Sequence, residues 1–345
     1  MLVIDGSYGE GGGQILRTAL TLSILTRTPF RLINIRAGRP KPGLRPQHLT
    51  CVKAAARLCK AEVSGAEKGS TEILFSPGSP RAGAYTFDIG TAGATGLLFQ
   101  TLLLPLAVSG GGRLILRGGT HVPMSPCFHY LAEVYLPVLS AMGLSARLKI
   151  RRYGFYPVGG GEILAEIEPF KALLGLTLEP PLAPETTYVL SVVSSDLPDH
   201  IRRRQALRAE RLLREVGLSY EVRLERVKSP SSGTLVGIWG REGIKRLGYF
   251  ALGAKGKPAE KVAEEAVRPY LEVLNARASV DEHLADQILL PAALASGKTF
   301  YVTSKITPHL LTNAWVIRQF LPKVKIEIRG QEGQPGEIII AGVQI

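Results

Sequence analysis

Residues 5–35 read DGSYGEGGGQILRTALTLSILTRTPFRLINI. The stretch begins with a glycine-rich loop, continues with apolar residues at helical spacing over 14–26, and ends in an apolar strand. A loop, a helix and a strand in this order predict an α/β unit. The rest of the chain contains two further units of the same kind, so the sequence predicts an internal repeat.

The two later units share their order of elements with the first. Apolar first helices recur as TGLLFQTLLLPLAVSG (95–110) and HLADQILLPAALASG (283–297). Strands follow the three first helices at 30–38, 113–119 and 300–306. Second helices are expected at 45–58, 126–139 and 307–321, and closing β-hairpins at 63–77, 146–169 and 324–342.

Three histidines, His48, His129 and His309, lie near the starts of the three second helices. His129 follows His48 by 81 positions, whereas His309 follows His129 by 180. The extra length of about 100 residues is the size of one small domain. We therefore predict an α/β (α+β) fold of three tandem βαβαββ-like repeats that form a large domain, residues 1–180 plus 276–345. A small α/β domain, residues 181–275, is expected to be inserted in the third repeat.

The composition points to a globular protein with a polyanionic partner. The 345 residues include 42 Lys and Arg against 29 Asp and Glu, a formal net charge of +13. This excess favours nucleic acid, although charge alone leaves open a basic protein that binds none. With 45% hydrophobic and 21% charged residues, the chain is not of the intrinsically disordered class.

Cysteine spacing and apolar runs indicate the compartment. Cys51, Cys59 and Cys127 show no CxxC spacing, so we expect reduced, buried thiols rather than a disulfide framework or a structural zinc site. No apolar run reaches the roughly 18 residues of a membrane span. The N-terminus also lacks the layout of a secretion signal. These features predict a cytoplasmic protein with no membrane partner.

The glycine-rich loop at 5–13 is a candidate anion site. Backbone N–H groups at the start of a helix are suited to holding an anion. The chain contains no GxxxxGK[ST] sequence, and GEGGG lacks the dinucleotide-binding spacing. A carboxylate beside phosphates usually needs a divalent cation between them, so Glu10 is a candidate metal ligand. The alternative is a solvated glutamate in a tight turn.

The segment IRAGRPKPGLRPQHL (35–49) is rich in both arginine and proline. Arg36, Arg39, Lys41 and Arg45 fall within ten positions. Prolines stiffen the loop, and the planar guanidinium group can bind phosphate with two hydrogen bonds. A terminal phosphate suits such a loop, and a solvated charged surface is the alternative.

His309 is a candidate nucleophile. It lies at the expected start of a helix, where the dipole favours the neutral ring and would stabilise negative charge on a phosphoryl group under attack. Because His48 and His129 occupy matching places, periodicity does not choose among the three. For any single one of the three, the pattern alone favours a packed or hydrogen-bonded structural histidine.

The segment VDEHLADQILLP (280–291) places His283 and Asp286 one helical turn apart, so both can face one pocket. The carboxylate of Asp286, with Gln287 beside it, is suited to hydrogen bonds with ribose hydroxyls. The alternative is that acids lie in this first helical turn because they interact favourably with the helix dipole. By repeat symmetry the loops 90–96 and 121–126 would lie near the same edge. Gln100 and Pro126 are then further candidate lining residues.

Five strings in order along the chain, DGSYGEGGGQILR, RAGRPKPGLRPQHL, RYGFYPVGGGE, HLADQ and HLLTN, together resemble the RNA 3′-terminal phosphate cyclase family. The resemblance implies an ATP-dependent enzyme that converts an RNA 3′-terminal phosphate to a 2′,3′-cyclic phosphate. A histidine–AMP intermediate and an RNA-(3′)pp(5′)-A intermediate would precede ring closure. ATP would be a substrate and Mg²⁺ or Mn²⁺ the metal, and RNA with a 3′-terminal phosphate the partner; the resemblance leaves protein partners open.

The resemblance also implies roles for individual residues. His309, in HLLTN, becomes the nucleophile in preference to His48 and His129. Glu10 would bind the metal and the nucleotide. The phosphate and RNA contacts implied are Arg17, Arg36, Arg39, Gln47 and His48. The nucleotide contacts implied are Gln100, Pro126 (packed on adenine), His283, Asp286 and Gln287. Some relatives carry at the His283 position a tyrosine that stacks on adenine, for which an imidazole offers less area.

Two other functions have to be weighed against this one. A non-catalytic cyclase-like protein of ribosome assembly would bind RNA with the same fold but lack the nucleophilic histidine, which is present here. A small-molecule transferase of the enolpyruvyl type would share α/β repeats and basic loops, but its motifs are not the ones seen in this chain.

Overall fold

The computed structural model describes residues 1–344 and contains four β-sheets of four strands each. The first sheet and its helices comprise β1 (Leu2–Asp5), α1 (Gln14–Thr26), β2 (Phe30–Ile33), α2 (Pro46–Cys59), β3 (Glu62–Ser64) and β4 (Ile73–Ser76). The second comprises β5 (Gly83–Asp88), α3 (Thr95–Val108), β6 (Gly112–Gly118), α4 (Phe128–Tyr130), a π-helical turn (Leu131–Tyr135), α5 (Leu136–Ala141), β7 (Ala146–Arg152) and β8 (Gly161–Ile167).

The remaining elements form the other two sheets. One comprises β9 (Thr177–Leu178), α8 (Glu282–Gln287), α9 (Leu289–Ala293), β14 (Lys298–Thr303), α10 (Pro308–Phe320), β15 (Lys325–Arg329) and β16 (Gly336–Ala341). The other comprises β10 (Thr186–Ser194), α6 (His200–Glu215), β11 (Tyr220–Val227), β12 (Thr234–Glu242), β13 (Lys245–Leu252) and α7 (Ala259–Asn275).

Three of the sheets share one strand order. Their orders are β1-β2-β4-β3, β5-β6-β8-β7 and β9-β14-β16-β15. In each, the first two strands are parallel and the other pairings are antiparallel. A parallel pair needs a crossover. α1 and α3 supply it in the first two sheets, and the longer connection that ends in α8 and α9 supplies it in the third. The chain is thus of the mixed α/β class, as predicted.

The helices form the centre of the molecule. α1 packs against α2, α3 and α10, and α2 also packs against α3. α3 is apolar on nearly every side, and most of its residues are buried, because it is covered both by the other helices and by β6 and β8. The sheets lie outside the helices and alternate buried and exposed residues, as in β2.

Two of the expected helices are interrupted at prolines. The single helix predicted at 283–297 is wrong: it is divided into α8 and α9, because the ring of Pro291 clashes with the carbonyl of Gln287 in a continuous helix. The helix predicted at 126–139 contains the π-helical turn just before Pro137. The wider turn there accommodates a residue that lacks an N–H donor.

The fourth sheet, with strand order β11-β10-β12-β13, is buried on both faces. Val189, Val236 and Ile238 pack with α6 and α7 in a second hydrophobic cluster, whereas Leu190 and Leu235 belong to the main core. The alternation follows from the two-residue period of a strand. This sheet lies within the predicted insertion, and the domain boundaries at 181 and 275 stay a prediction.

Two further expectations concern cysteines and membrane spans. Cys51, Cys59 and Cys127 are free and buried, as expected. Within residues 1–344, no helix has both the length and the apolar character to cross a membrane.

Replacing Leu103 with alanine is expected to lower the free energy of unfolding by about 2–5 kcal/mol, because Leu103 is fully buried in α3 and its removal leaves a cavity. Val108, at the end of the same helix, is 47% exposed. Its replacement by alanine should change the free energy by about 0.5 kcal/mol or less. Chemical denaturation measures both, and equal losses would contradict this account of the core.

Candidate active site

The N-termini of α1 and α2 lie beside each other. The loop before α1 and the loop before α2 are in contact, since the Gly38 N–H donates to the Gly11 carbonyl at 3.2 Å. Gly9 and Gly11 have φ values of 59° and 55°, which favour glycine. A side chain at Gly9 would also collide with Thr312 of α10, so the glycine-rich loop lies directly against the third helix start.

Glu10 joins the loops to α10. Its Oε2 lies 3.1 Å from Nε2 of His309 and 2.9 Å from a guanidinium nitrogen of Arg39. Glu10 is largely buried, whereas the His309 side chain is 47% exposed and can be reached from solvent. The structure therefore brings together one residue from each of three segments that the sequence singled out.

The other ring nitrogen of His309 is held by a relay of side chains. Gln14 Nε2 donates to Asp286 Oδ1 at 2.6 Å, which leaves Gln14 Oε1 as an acceptor for Nδ1–H of His309 at 3.0 Å. The neutral ring then has its lone pair on Nε2. A base or nucleophile oriented in this way by a second and a third group is typical of covalent catalysis.

Asp286 also accepts from Asn313 Nδ2 at 3.0 Å, and Thr18 donates to Asn313 Oδ1 at 2.9 Å. Burial raises the pKa of Asp286, while the positive charge of His309 and the hydrogen bonds from Gln14 and Asn313 oppose the rise. Oδ1 of Asp286 thus accepts from both amides and fixes the orientation of Gln14.

Gln14 and Asn313 were not singled out from the sequence. The available signals were the position of Gln14 directly after the glycine loop and the four-residue spacing from His309 to Asn313, which puts both on one helix face.

His48 and Arg17 form a second polar group beside the glycine loop. A Cβ added at Gly13 would collide with the His48 ring and lie 3.1 Å from a nitrogen of Arg17. Burial, together with Arg17, Arg36, Arg45 and Arg39, lowers the pKa of His48 to about 3. Within residues 1–344, His48 Nδ1 has no hydrogen-bond partner and the Arg17 guanidinium makes no ion pair. Such unsatisfied groups beside a helix start are suited to an anion.

Relatives of this chain share its sequence over almost the whole length. A sequence model of the family described as RNA 3′-terminal phosphate cyclase matches residues 8–328. The chain is 45% identical to a protein of that name from Methylococcus capsulatus, over 99% of this chain and 97% of the relative. It is 44% identical to one from Methanopyrus kandleri, over 98% of both chains.

The chain belongs to the RNA 3′-terminal phosphate cyclase family. The family predicted from the sequence is thus confirmed, and with it the assignment to a family of enzymes.

The remaining site residues predicted for this cyclase lie around the same helices. Gln100 Nε2 of α3 donates to Gln287 Oε1 at 2.7 Å, so these two predicted nucleotide contacts meet. Gln47 accepts from the Ala94 N–H at 2.7 Å and links α2 to the start of α3. Pro126 lies nearby, with its carbonyl against Gly96 of α3.

Arg36 makes contacts other than the phosphate contact predicted for it. One guanidinium nitrogen donates to the carbonyls of Lys41 at 2.7 Å and Gly43 at 3.0 Å. These bonds hold the arginine- and proline-rich loop in its curved shape. Arg39, by contrast, extends to Glu10.

His283 has an exposed ring at the start of α8. Edge contacts come from Tyr130, with ring centroids 6.4 Å apart, and Tyr249, at 5.9 Å. With 59% of its side chain exposed, the ring of this cyclase is accessible at the position that the resemblance associates with adenine. Its role stays a prediction.

His129 lies instead in a buried chain of hydrogen bonds. Tyr153 donates to Glu225 at 2.8 Å and contacts His129 Nε2 at 3.4 Å, while His129 Nδ1 lies 2.9 Å from His121 Nε2. With Cys127, the two histidines bring three potential metal-binding atoms within 4.8 Å of one another. Because His129 is buried, it differs from His309, whose side chain is 47% exposed.

The folded-state pKa of His48 predicts how the stability of the cyclase depends on pH. Between its ordinary value of 6.5 and about 3, the unfolded chain binds a proton at His48 that the folded chain does not. Stability should therefore fall below pH 6.5, by up to about 1.4 kcal/mol per pH unit. His48→Gln is expected to remove about 2 kcal/mol of the loss between pH 6.5 and 5.

Urea denaturation at several pH values measures this slope. The exposed His200→Gln serves as the matched control and should keep the wild-type profile. Identical slopes in the wild type and His48→Gln would show that His48 is not buried in neutral form.

Proposed function

We propose that this protein is an ATP-dependent RNA 3′-terminal phosphate cyclase with His309 as its nucleophile. The observation that supports the proposal most directly is the environment of His309: Nδ1 is fixed by Gln14, and Nε2 faces Glu10 and Arg39 at the N-terminus of α10. The names of the relatives supply the substrate, an RNA that ends in a 3′-phosphate.

In the first step, His309 Nε2 attacks the α-phosphorus of ATP. A P–N bond forms, the bond to the β-phosphate oxygen breaks, and pyrophosphate leaves. The contact between Nε2 and Glu10 Oε2 exists as a hydrogen bond only while Nε2 carries a proton. Glu10 is thus placed to accept that proton, and the pair has to separate before attack.

Two further steps complete the reaction. A 3′-phosphate oxygen attacks the adenylyl phosphorus, the P–N bond breaks, and RNA-(3′)pp(5′)-A forms. The ribose 2′-OH then loses its proton and attacks the 3′-phosphorus, closing the 2′,3′-cyclic phosphate and releasing AMP. The accessible His309 side chain allows one ring to meet both substrates in turn.

Charge neutralisation falls to the groups around the glycine loop. Arg17, which lacks an ion-pair partner within residues 1–344, and Arg39 are the cations we assign to the phosphates. Phosphoryl and nucleotidyl transfer depend mainly on positioning and on such neutralisation. We propose Gln47 and His48 as further contacts in this region. Arg36 shapes the loop before α2 through its bonds to the carbonyls of Lys41 and Gly43.

Glu10 also suits a divalent cation. Both of its charged contacts are made through Oε2, and Mg²⁺ or Mn²⁺ commonly binds one carboxylate together with substrate phosphates. When bound, the ion would neutralise phosphate charge. On the nucleotide itself, Asp286, Gln287, Gln100, Pro126 and His283 are the contacts we propose.

The non-catalytic alternative is not favoured. It requires a chain without the nucleophile, and His309 is present in an oriented environment. We also propose that the three sheets of one strand order form the predicted three-repeat domain, interrupted by the small domain at 181–275. The free, buried cysteines accord with the cytoplasmic location we propose.

Incubation with α-³²P-labelled ATP and magnesium should label the wild-type protein through an acid-labile bond. His309→Ala should abolish the label, because no other group replaces Nε2. His200→Ala, at an exposed histidine of α6, should label like the wild type. An unlabelled wild type, or label retained in His309→Ala, would reject the proposal.

Gln14→Met keeps the length of the side chain but removes the acceptor for His309 Nδ1. We expect the rate of self-adenylylation to fall about 10- to 100-fold, as when an orienting partner is removed from a functional histidine. The KM for ATP should change little, because Gln14 orients the ring. Single-turnover labelling at saturating ATP separates the two effects, and an unchanged rate would contradict the relay.

A further inference from the structure

A second concave site lies on the fourth sheet. It is a cavity of about 250 Å³ between β10–β13 and the helical turn that precedes α5. The residues that line it include Glu133, Tyr188, Arg223, Trp239, Arg241 and Arg246. Nothing in the proposed chemistry at His309 uses these side chains.

The arginines of this cavity are not neutralised. In the described part of the chain, Arg223 and Arg241 make no ion pair or hydrogen bond, and Arg246 donates only to the carbonyls of Gly243 and Lys245. Burial and the neighbouring Arg241 lower the pKa of Arg246, as expected where cations crowd together. Three guanidinium groups face one lining carboxyl, Glu133, so the cavity attracts anions.

A partly exposed aromatic ring, Tyr188, lies beside these cations, stacked on the buried Trp239. The rings of Tyr188 and Trp239 are stacked with centroids 5.5 Å apart. The guanidinium carbons of Arg223 and Arg241 lie 5.9 Å and 5.4 Å from the centroid of Tyr188. Aromatic faces for bases and cations for the backbone are the combination that binds single-stranded nucleic acid.

The basic helix α6 offers a contrast. Although it carries six arginines, each of them is paired with an acid. Those acids are Asp199 (with Arg202 and Arg203), Glu260, Glu264, Glu215 and Glu210. Because each arginine is paired with an acid, the surface of α6 has little net positive potential. The positive charge available for a polyanion therefore lies in the cavity and not along this helix.

The cavity is connected to the proposed nucleotide site by direct contacts. Glu133 lies three residues after Tyr130, a rise of about 4.5 Å along a helix. Tyr130 donates to Asp281 at 2.8 Å, and its ring contacts His283. One helical segment thus links the cavity to α8.

We propose that this cavity is a second RNA subsite, which binds a nucleotide upstream of the 3′-phosphate end. The inference rests on the proposed cyclase function, because that function places the RNA terminus at His309. The body of a single strand then passes the exposed His283 ring and reaches the cavity. Arg223 and Arg241 bind its phosphates, and the partly exposed Tyr188 contacts a base.

The decisive experiment compares Arg223→Ala/Arg241→Ala with a control of equal charge, Arg203→Ala/Arg211→Ala on α6. Within residues 1–344 neither cavity arginine makes a side-chain hydrogen bond or an ion pair, and each lies over the Tyr188 ring, so folding should be retained. Cyclisation is measured with a dinucleotide and a 12-mer that share one 3′-phosphorylated end. The KM for the 12-mer should rise about tenfold or more in the cavity variant, with the dinucleotide and the control close to wild type.

Direct binding separates this inference from the proposed function. The affinity for a labelled 12-mer with a 3′-hydroxyl is measured by fluorescence anisotropy, since this RNA is not a cyclase substrate. It should be lower in the cavity variant than in the wild type. The slope of log K against log salt should fall by about 1.4 for two lost phosphate contacts. If the wild type cyclises no RNA, the proposed function fails, but this binding result still decides the subsite.

Three results would overturn the subsite. They are equal losses for the dinucleotide and the 12-mer, equal losses in the cavity and α6 variants, and unchanged binding of the 12-mer. A loss of ATP binding with RNA binding intact would assign the cavity to a free nucleotide and would also contradict the proposal.

Discussion

The buried polar network between α1 and α10 is the interaction on which the candidate site depends. Thr18 and Gln14 of the first helix reach Asn313 and Asp286, which follow them by more than 270 positions in the sequence. A buried amide or carboxylate is costly unless its hydrogen bonds are made, so the two helices have one favourable register. That register sets the His309 ring beside the glycine loop.

The same core makes the surroundings of His48 unfavourable for charge. Arg17 projects from α1, and the other arginines approach from the loop before α2, so a proton on His48 would add to an existing concentration of positive charge. The ring stays neutral, and its Nδ1 lacks a partner in the described residues. Proteins seldom leave such groups unsatisfied, and under the proposed function an incoming phosphate would relieve the repulsion among the arginines. Stability of the free protein is thereby lowered in favour of anion binding.

Local patterns of the sequence predict much of the fold but little of the geometry of the site. α1 is predicted at its observed bounds because its apolar period is uninterrupted, whereas the helix at 283–297 divides at Ile288, three residues before Pro291, a break that the apolar pattern obscures. Periodicity treated His48, His129 and His309 alike. Only tertiary contacts separate them: His129 is enclosed by His121 and Tyr153, and His309 is held by Gln14. The roles of Gln14 and Asn313 depend on helix register, which no local pattern contains.

Net charge was likewise a poor guide to where a polymer would bind. α6 is densely basic, but Asp199, acids at helical spacing and the neighbouring α7 supply a partner for each of its arginines. The arginines of β11, β12 and β13 are scattered in the sequence and meet only because the strand order β11-β10-β12-β13 brings them around Tyr188. Antiparallel pairing sets Arg241 directly opposite Arg246, two like charges that disfavour each other. Such a pair lowers the stability of the free protein, and a bound anion would offset the repulsion between its two arginines.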